Sequence, residues 1–136
     1  MKGYLLREQA IVIGEETFVD SRASESDYGV VFEDDTETAY FYAVKISGKE
    51  EEQLVLDALH IYNVDEIDEA ERKATLRLLW SKDWQRCALI INNYCHAVID
   101  FKHQGAYNRN EFPPPNDFWT KGDRQLTDEM VTAFFS

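Results

Sequence analysis

The sequence predicts a mainly β domain. It reads as an antiparallel meander of six or seven strands, a curled sheet or small sandwich or barrel, with a C-terminal α-helix packed against it. Three observations carry this reading. Apolar residues recur mostly with period two, the pattern of half-buried strands. The runs are separated by short clusters of Gly, Asn, Asp and Ser, which favour turns. The last segment changes character, opening with a cap and continuing as a helix.

The elements follow in chain order. Tyr4 to Ile13 reads as a first strand, broken by Gly14-Glu15-Glu16. Tyr28 to Glu33 and Thr38 to Ile46 flank the turn-type group Asp34-Asp35-Thr36-Glu37, which makes a hairpin. Ser47-Gly48-Lys49 with Glu50-Glu51-Glu52 is the next break, and Leu54 to Val64 the next apolar run. The acidic stretch Asp65 to Lys73 has room for a helical turn or two. In Ala74 to Trp80, residues Ala74, Leu76, Leu78 and Trp80 share one face, with Thr75 and Arg77 on the other. Ser81-Lys82-Asp83 turns the chain. Arg86 to Asn92 and His96 to Phe101 are nearly continuous apolar runs about the tight turn Asn92-Asn93, as expected for central strands buried on both faces. Gly105 to Gly122, with Pro113-Pro114-Pro115, is irregular by composition. Thr127 then serves as N-cap. Asp128 and Glu129 suit the positive end of the helix dipole, and Leu126 and Val131 are spaced for a hydrophobic staple.

The chain of 136 residues fits a single domain, residues 1–136, and its 44% hydrophobic and 13% aromatic content supports a real core. Its charge is uneven. Residues 1–71 hold 19 of the 26 acidic residues and only 5 of the 14 lysines and arginines, a formal −14 against +2 for the remainder. Such a half attracts cationic partners and repels nucleic acid and anionic membrane surfaces. No apolar run approaches the ~18 residues that span a bilayer, and the apolar start is cut short by Arg7 and Glu8, so no signal peptide is read. Cys87 and Cys95 are expected as buried free thiols, and the default compartment is the cytoplasm.

No common enzyme signature is present, and no catalytic residue, cofactor or metal site is assigned. Asp34-Asp35-Thr36-Glu37 lacks the twelve-residue framework of a calcium loop. His96 and Asp100 share a strand face but stand about 13 Å apart, too far to bind one zinc ion; His103 reaches back only if the strand ends by Phe101. Asp57 and His60 fall on opposite faces of their strand, which gives no local acid–base pair. The aromatics around Pro113-Pro114-Pro115 are expected to cover an open end of the sheet rather than to anchor a partner.

Val30-Val31-Phe32-Glu33-Asp34-Asp35 leading to Tyr40-Phe41-Tyr42-Ala43, then Leu56 to Asn63, then Ala88 to Asn92 and Ala97 to Phe101 together resemble a small bacterial domain family of unknown function. The resemblance covers roughly residues 28–101 and implies a compact bacterial domain, carrying no catalytic residues with it. The leading functional expectation is a binding protein with an acidic face. Its most concrete form is an immunity-type inhibitor of a basic, nucleic-acid-targeting toxin, with Glu33, Asp34, Asp35 and Glu37 first in contact and then Glu50, Glu51 and Glu52. The alternatives are a ligand-binding barrel or enzyme with a pocket near Tyr42, Asp57 and His60, and a structural subunit pairing through an edge strand. Oligomeric state is left open.

Overall fold

The computed structural model of the protein describes residues 1–47 and 52–136. Its period-two runs form strands whose apolar faces meet between two antiparallel sheets. One sheet has five strands in the order β1-β6-β7-β8-β9, the other four in the order β2-β3-β4-β5. In chain order these are β1 (Tyr4–Val12), β2 (Thr17–Arg22), β3 (Tyr28–Asp34), β4 (Thr38–Ser47) and β5 (Glu52–Asn63). They continue as β6 (Lys73–Trp80), β7 (Arg86–Ile91), β8 (Tyr94–Asp100) and β9 (Gly105–Asn108), and the chain ends in α1 (Asp128–Phe134). The sheets do not close into a barrel: β1 and β2 adjoin on one side, β5 and β9 on the other.

Two strands exceed the sequence expectation. β2 lies between the first break and the hairpin, and β9 lies inside the segment read as irregular. The acidic stretch after β5 forms two 3₁₀ turns, Val64–Glu66 and Glu69–Glu71. The expected hairpin is β3–β4, with Asp34 opposite Ala39.

The main core lies between the sheets. Val30, Phe32, Phe41 and Leu59 face Leu76, Leu78, Leu89 and Ile99, all almost wholly buried. β7 and β8 are buried on both sides as expected: Cys87, Leu89, Ala97 and Ile99 point into the main core, while Ala88, Cys95 and Val98 meet Leu126, Val131 and Phe135 of the C-terminal segment. The two thiols therefore lie on opposite faces of the hairpin, and both are free. The helix begins as read, with Thr127 Oγ1 accepting from Met130 N at 3.2 Å. Asn92 and Asn93 both take positive φ, 51° and 68°, as a two-residue hairpin turn with native twist requires.

His96, on β8, sits edge-on to Tyr94 with ring centroids 4.9 Å apart. Burial, then the charge of Arg109, lowers its pKa from 6.5 to about 4. Between those values the unfolded chain binds a proton that the fold excludes. Stability is therefore present above pH 6.5 and falls as pH drops toward 4. Denaturant unfolding across this window should show the loss, and His96→Gln should flatten the pH dependence relative to the native chain.

Candidate functional site

Three connections meet at one end of the sandwich, and hydrogen bonds to the Asp34 side chain and between backbone groups fix them there. Gly14 N in the β1–β2 turn donates to Asp34 Oδ2 at 2.8 Å, Thr36 N to Asp34 Oδ1 at 2.9 Å, and the Tyr62 hydroxyl to Asp34 Oδ2 at 2.6 Å. Val64 N donates to Glu37 O at 2.9 Å, and Ile13 N to Arg72 O at 2.7 Å. Gly14 has φ +96°, and a Cβ there would come within 2.9 Å of Val64 Cγ1, so this close approach of turns needs glycine. Asp34 is thus the clasp of the end and is fully buried. It cannot touch a partner, which corrects its place among the expected contact residues. Its own strand explains why: Val30, Phe32 and Asp34 share the inner face.

The residues held around this clasp are acidic. Glu15 and Glu16 come from the first turn, Asp35 and Glu37 from the second, and Asp65, Glu66, Asp68, Glu69 and Glu71 from the third connection. Backbone donors Thr38 and Glu37 hold the Asp35 carboxyl below its ordinary pKa and keep it charged. Between the second and third connections lies a hollow of about 550 Å³ lined by Glu37, Asn63, Asp65, Glu66 and Arg72. Arg72 is turned inward, donating to the carbonyls of Ile67 (3.1 Å) and Val64 (3.3 Å).

Among the described residues every ion pair lies elsewhere. Arg7 pairs with Asp20, Arg22 with Asp27, Arg77 with Glu8, Arg86 and His103 with Asp100, Arg109 with Asp128, and Arg124 with Asp57. The carboxylates of the acidic end are left without a cationic neighbour within 4.0 Å. Lys2, Lys82 and Lys102 lie at the far end of the sheets, beside the β6–β7 and β8–β9 turns.

Glu52, the described residue of the second expected acidic block, does not join the first. Glu52 opens β5 opposite Ser47, whereas Glu37 adjoins the other end of β4, about 30 Å away at the usual strand rise. Glu50 and Glu51 lie outside the described residues. The two separate because β4 runs the full length of the sheet between Glu37 and Glu52.

The expected pocket of Tyr42, Asp57 and His60 does not assemble. Asp57 points inward opposite Ala43 and is buried. It accepts from Arg124 Nη2 at 2.6 Å, from the Thr120 hydroxyl and from Ala58 N. His60 lies on the outer face beside Tyr40. Its Nε2 donates to Asn63 Oδ1 at 2.8 Å, and its Nδ1 accepts from Asn110 Nδ2 at 2.7 Å, so both ring nitrogens are occupied. Tyr42 lines a separate cleft of about 310 Å³ on the bare outer face of the four-stranded sheet, with Phe18, Val31, Glu33, Val44, Gln53 and Val55. Phe18 and Val55 are 58% and 54% exposed. Partial burial, then the charge of Glu33, raises the Tyr42 pKa.

Sequence reasoning missed Phe18 because it missed β2. The signal was present: Phe18, Asp20 and Arg22 alternate with Thr17, Val19 and Ser21. His103 does fold back, its Nδ1 lying 2.9 Å from Asp100 Oδ2, but Arg86 already holds that carboxylate at 3.1 Å. No group of three or more His, Cys, Asp or Glu among the described residues is arranged to hold a metal ion. The proline segment divides in role: Trp119 is buried against Phe101 with centroids 5.8 Å apart, and Phe118 is 78% exposed. No helix among the described residues is long and apolar enough to cross a membrane.

Fold and site together define a small antiparallel β-sandwich domain with one roofed sheet, one bare sheet and an acidic end. The chain belongs to the bacterial family described as "Uncharacterized protein conserved in bacteria (DUF2251)", whose model matches residues 11–135. It is 38% identical over 96 residues to an "Uncharacterized protein" of Haemophilus influenzae, a match covering 69% of this chain and 58% of that protein. The chain thus spans less than two thirds of that relative's length. No solved structure matches.

Proposed function

We propose that the protein is a cytoplasmic binding module that holds a basic protein against its acidic end, most concretely as an immunity-type inhibitor of a basic toxin. The observation that carries this reading is the convergence of three acidic connections whose carboxylates form no ion pair within 4.0 Å among the described residues, although Arg72 and Lys73 lie at the same end. Gathering like charge destabilises a fold through self-repulsion, and a cationic partner would relieve it. Inhibition of this kind needs surface complementarity and fast association rather than catalytic groups. The buried free thiols fit a reducing compartment.

The test is capture from the source cell's lysate and from the products of neighbouring genes, washed at low and high salt. A basic protein should be retained at low salt and released as salt rises. With that protein in hand, Glu37→Lys combined with Glu66→Lys should slow association by about tenfold or more and flatten its salt dependence. Both positions lie on exposed turns, so the variant should fold normally. An unchanged association rate and salt slope would remove the acidic end from the interface.

A further inference from the structure

The bare outer face of the four-stranded sheet carries a second, more specific feature. Phe18 on β2 stands opposite Glu33 on β3, and Glu33 opposite Tyr40 on β4. Glu33 thus occupies a backbone position between two aromatic residues, each one strand away, about 5 Å. In the next row Val31 faces Tyr42, whose ring stacks on Tyr40 with centroids 6.1 Å apart. Among the described residues, Arg22 on this side pairs with Asp27 at 2.9 Å and Arg7 with Asp20 at 3.6 Å. Glu33 has no ion-pair partner among the described residues.

We infer that this cleft receives an arginine side chain of the basic partner, its guanidinium bonded to Glu33 and its flat faces against Phe18 and Tyr42. The inference rests on the reading of the acidic end as a partner surface, and it names what the partner must present. A guanidinium is planar, weakly hydrated and able to bond a carboxylate while stacking on rings; a lysine ammonium is a compact, strongly hydrated charge. The cleft, at about 310 Å³, admits a side chain rather than a segment of chain. The charge continues past it, since Asp35 and Glu37 follow Glu33 by two and four residues. That continuity favours a protein with further cations over a small free cation.

The full chain, labelled for NMR, would be titrated with Nα-acetyl-arginine methylamide and with the corresponding lysine and norleucine compounds. The arginine compound should give saturable shifts centred on Phe18, Glu33 and Tyr42, and Glu33→Gln or Phe18→Ala should weaken it about three- to tenfold. Equal responses to lysine or norleucine, shifts centred on Asp35 and Glu37, or no saturable response would overturn the inference. Association with the captured protein separates the two ideas. Loss on reversing Glu37 and Glu66, with Glu33→Gln and Phe18→Ala unaffected, would sink the cleft and leave the acidic end. If no protein is captured, the acidic-end reading fails, and the arginine titration still decides the cleft.

Discussion

Replacing Arg124 by alanine should lower the unfolding free energy by about 3–5 kcal/mol, because it strands the Asp57 carboxylate in the interior. Both side chains are almost completely buried, and Arg124 also donates to Ala58 O at 3.0 Å. The pair ties the segment after β9 to β5, across the side where the sheets adjoin. Arg124→Lys would keep the charge but not the two-pronged reach to Asp57 and Ala58, so it should recover only part of the loss. The double change Asp57→Leu with Arg124→Met removes both charges together and should cost less than either single truncation. Urea unfolding of these variants, with Asp57→Leu as the second single truncation, checks this. An Arg124→Ala chain as stable as the native one would mean the pair contributes nothing.

Trp80→Ala should be comparably damaging, about 3–5 kcal/mol, since it empties the largest fully buried site of the core. Trp80 ends β6, lies within 5.8 Å of the Phe101 ring centroid, and donates from Nε1 to Ser21 Oγ at 2.9 Å. It therefore fastens the five-stranded sheet to the four-stranded one at the end opposite the acidic turns. Trp80→Phe keeps much of the volume and loses the hydrogen bond, and should add a smaller cost of about 1–3 kcal/mol. The same urea measurement separates packing from polar linkage. Equal losses in both variants would show that the bond to Ser21, and not the packing, holds the two sheets there.

Local pattern foretold local structure. The β3–β4 hairpin, the alternation of β6, the doubly buried β7–β8 pair and the Thr127 cap were all readable, because each depends on neighbours in sequence. The strand order was not, since β1 pairs with β6 across a long stretch of intervening chain, where a simple meander pairs neighbours in sequence. Bulges also broke the parity that sequence reasoning relies on. The extra residues Leu56 and Ile61 in β5 shift its register against β4 twice. At the site, Asp34 is chemically identical to Asp35, and only its parity with Val30 and Phe32 marks it as inward. The gathering of Glu15, Glu37 and Glu66 was not legible either, because it depends on the Asp34 clasp and on bonds between connections distant in sequence. Arg124 and Asp57 lie 67 residues apart and share no local pattern.

The acidic end, set against a far end where Lys2, Lys82 and Lys102 offset acids such as Glu52 and Asp83, also makes the molecule an electric dipole. In the field of a basic surface it feels a torque as well as an attraction. It turns acidic end first while still separated from that surface, so a larger share of collisions begins in a productive orientation. The range of this steering is set by the solvent: about 8 Å at physiological ionic strength and about 30 Å in dilute buffer. Orientation would then be lost to salt before the short-range contacts are.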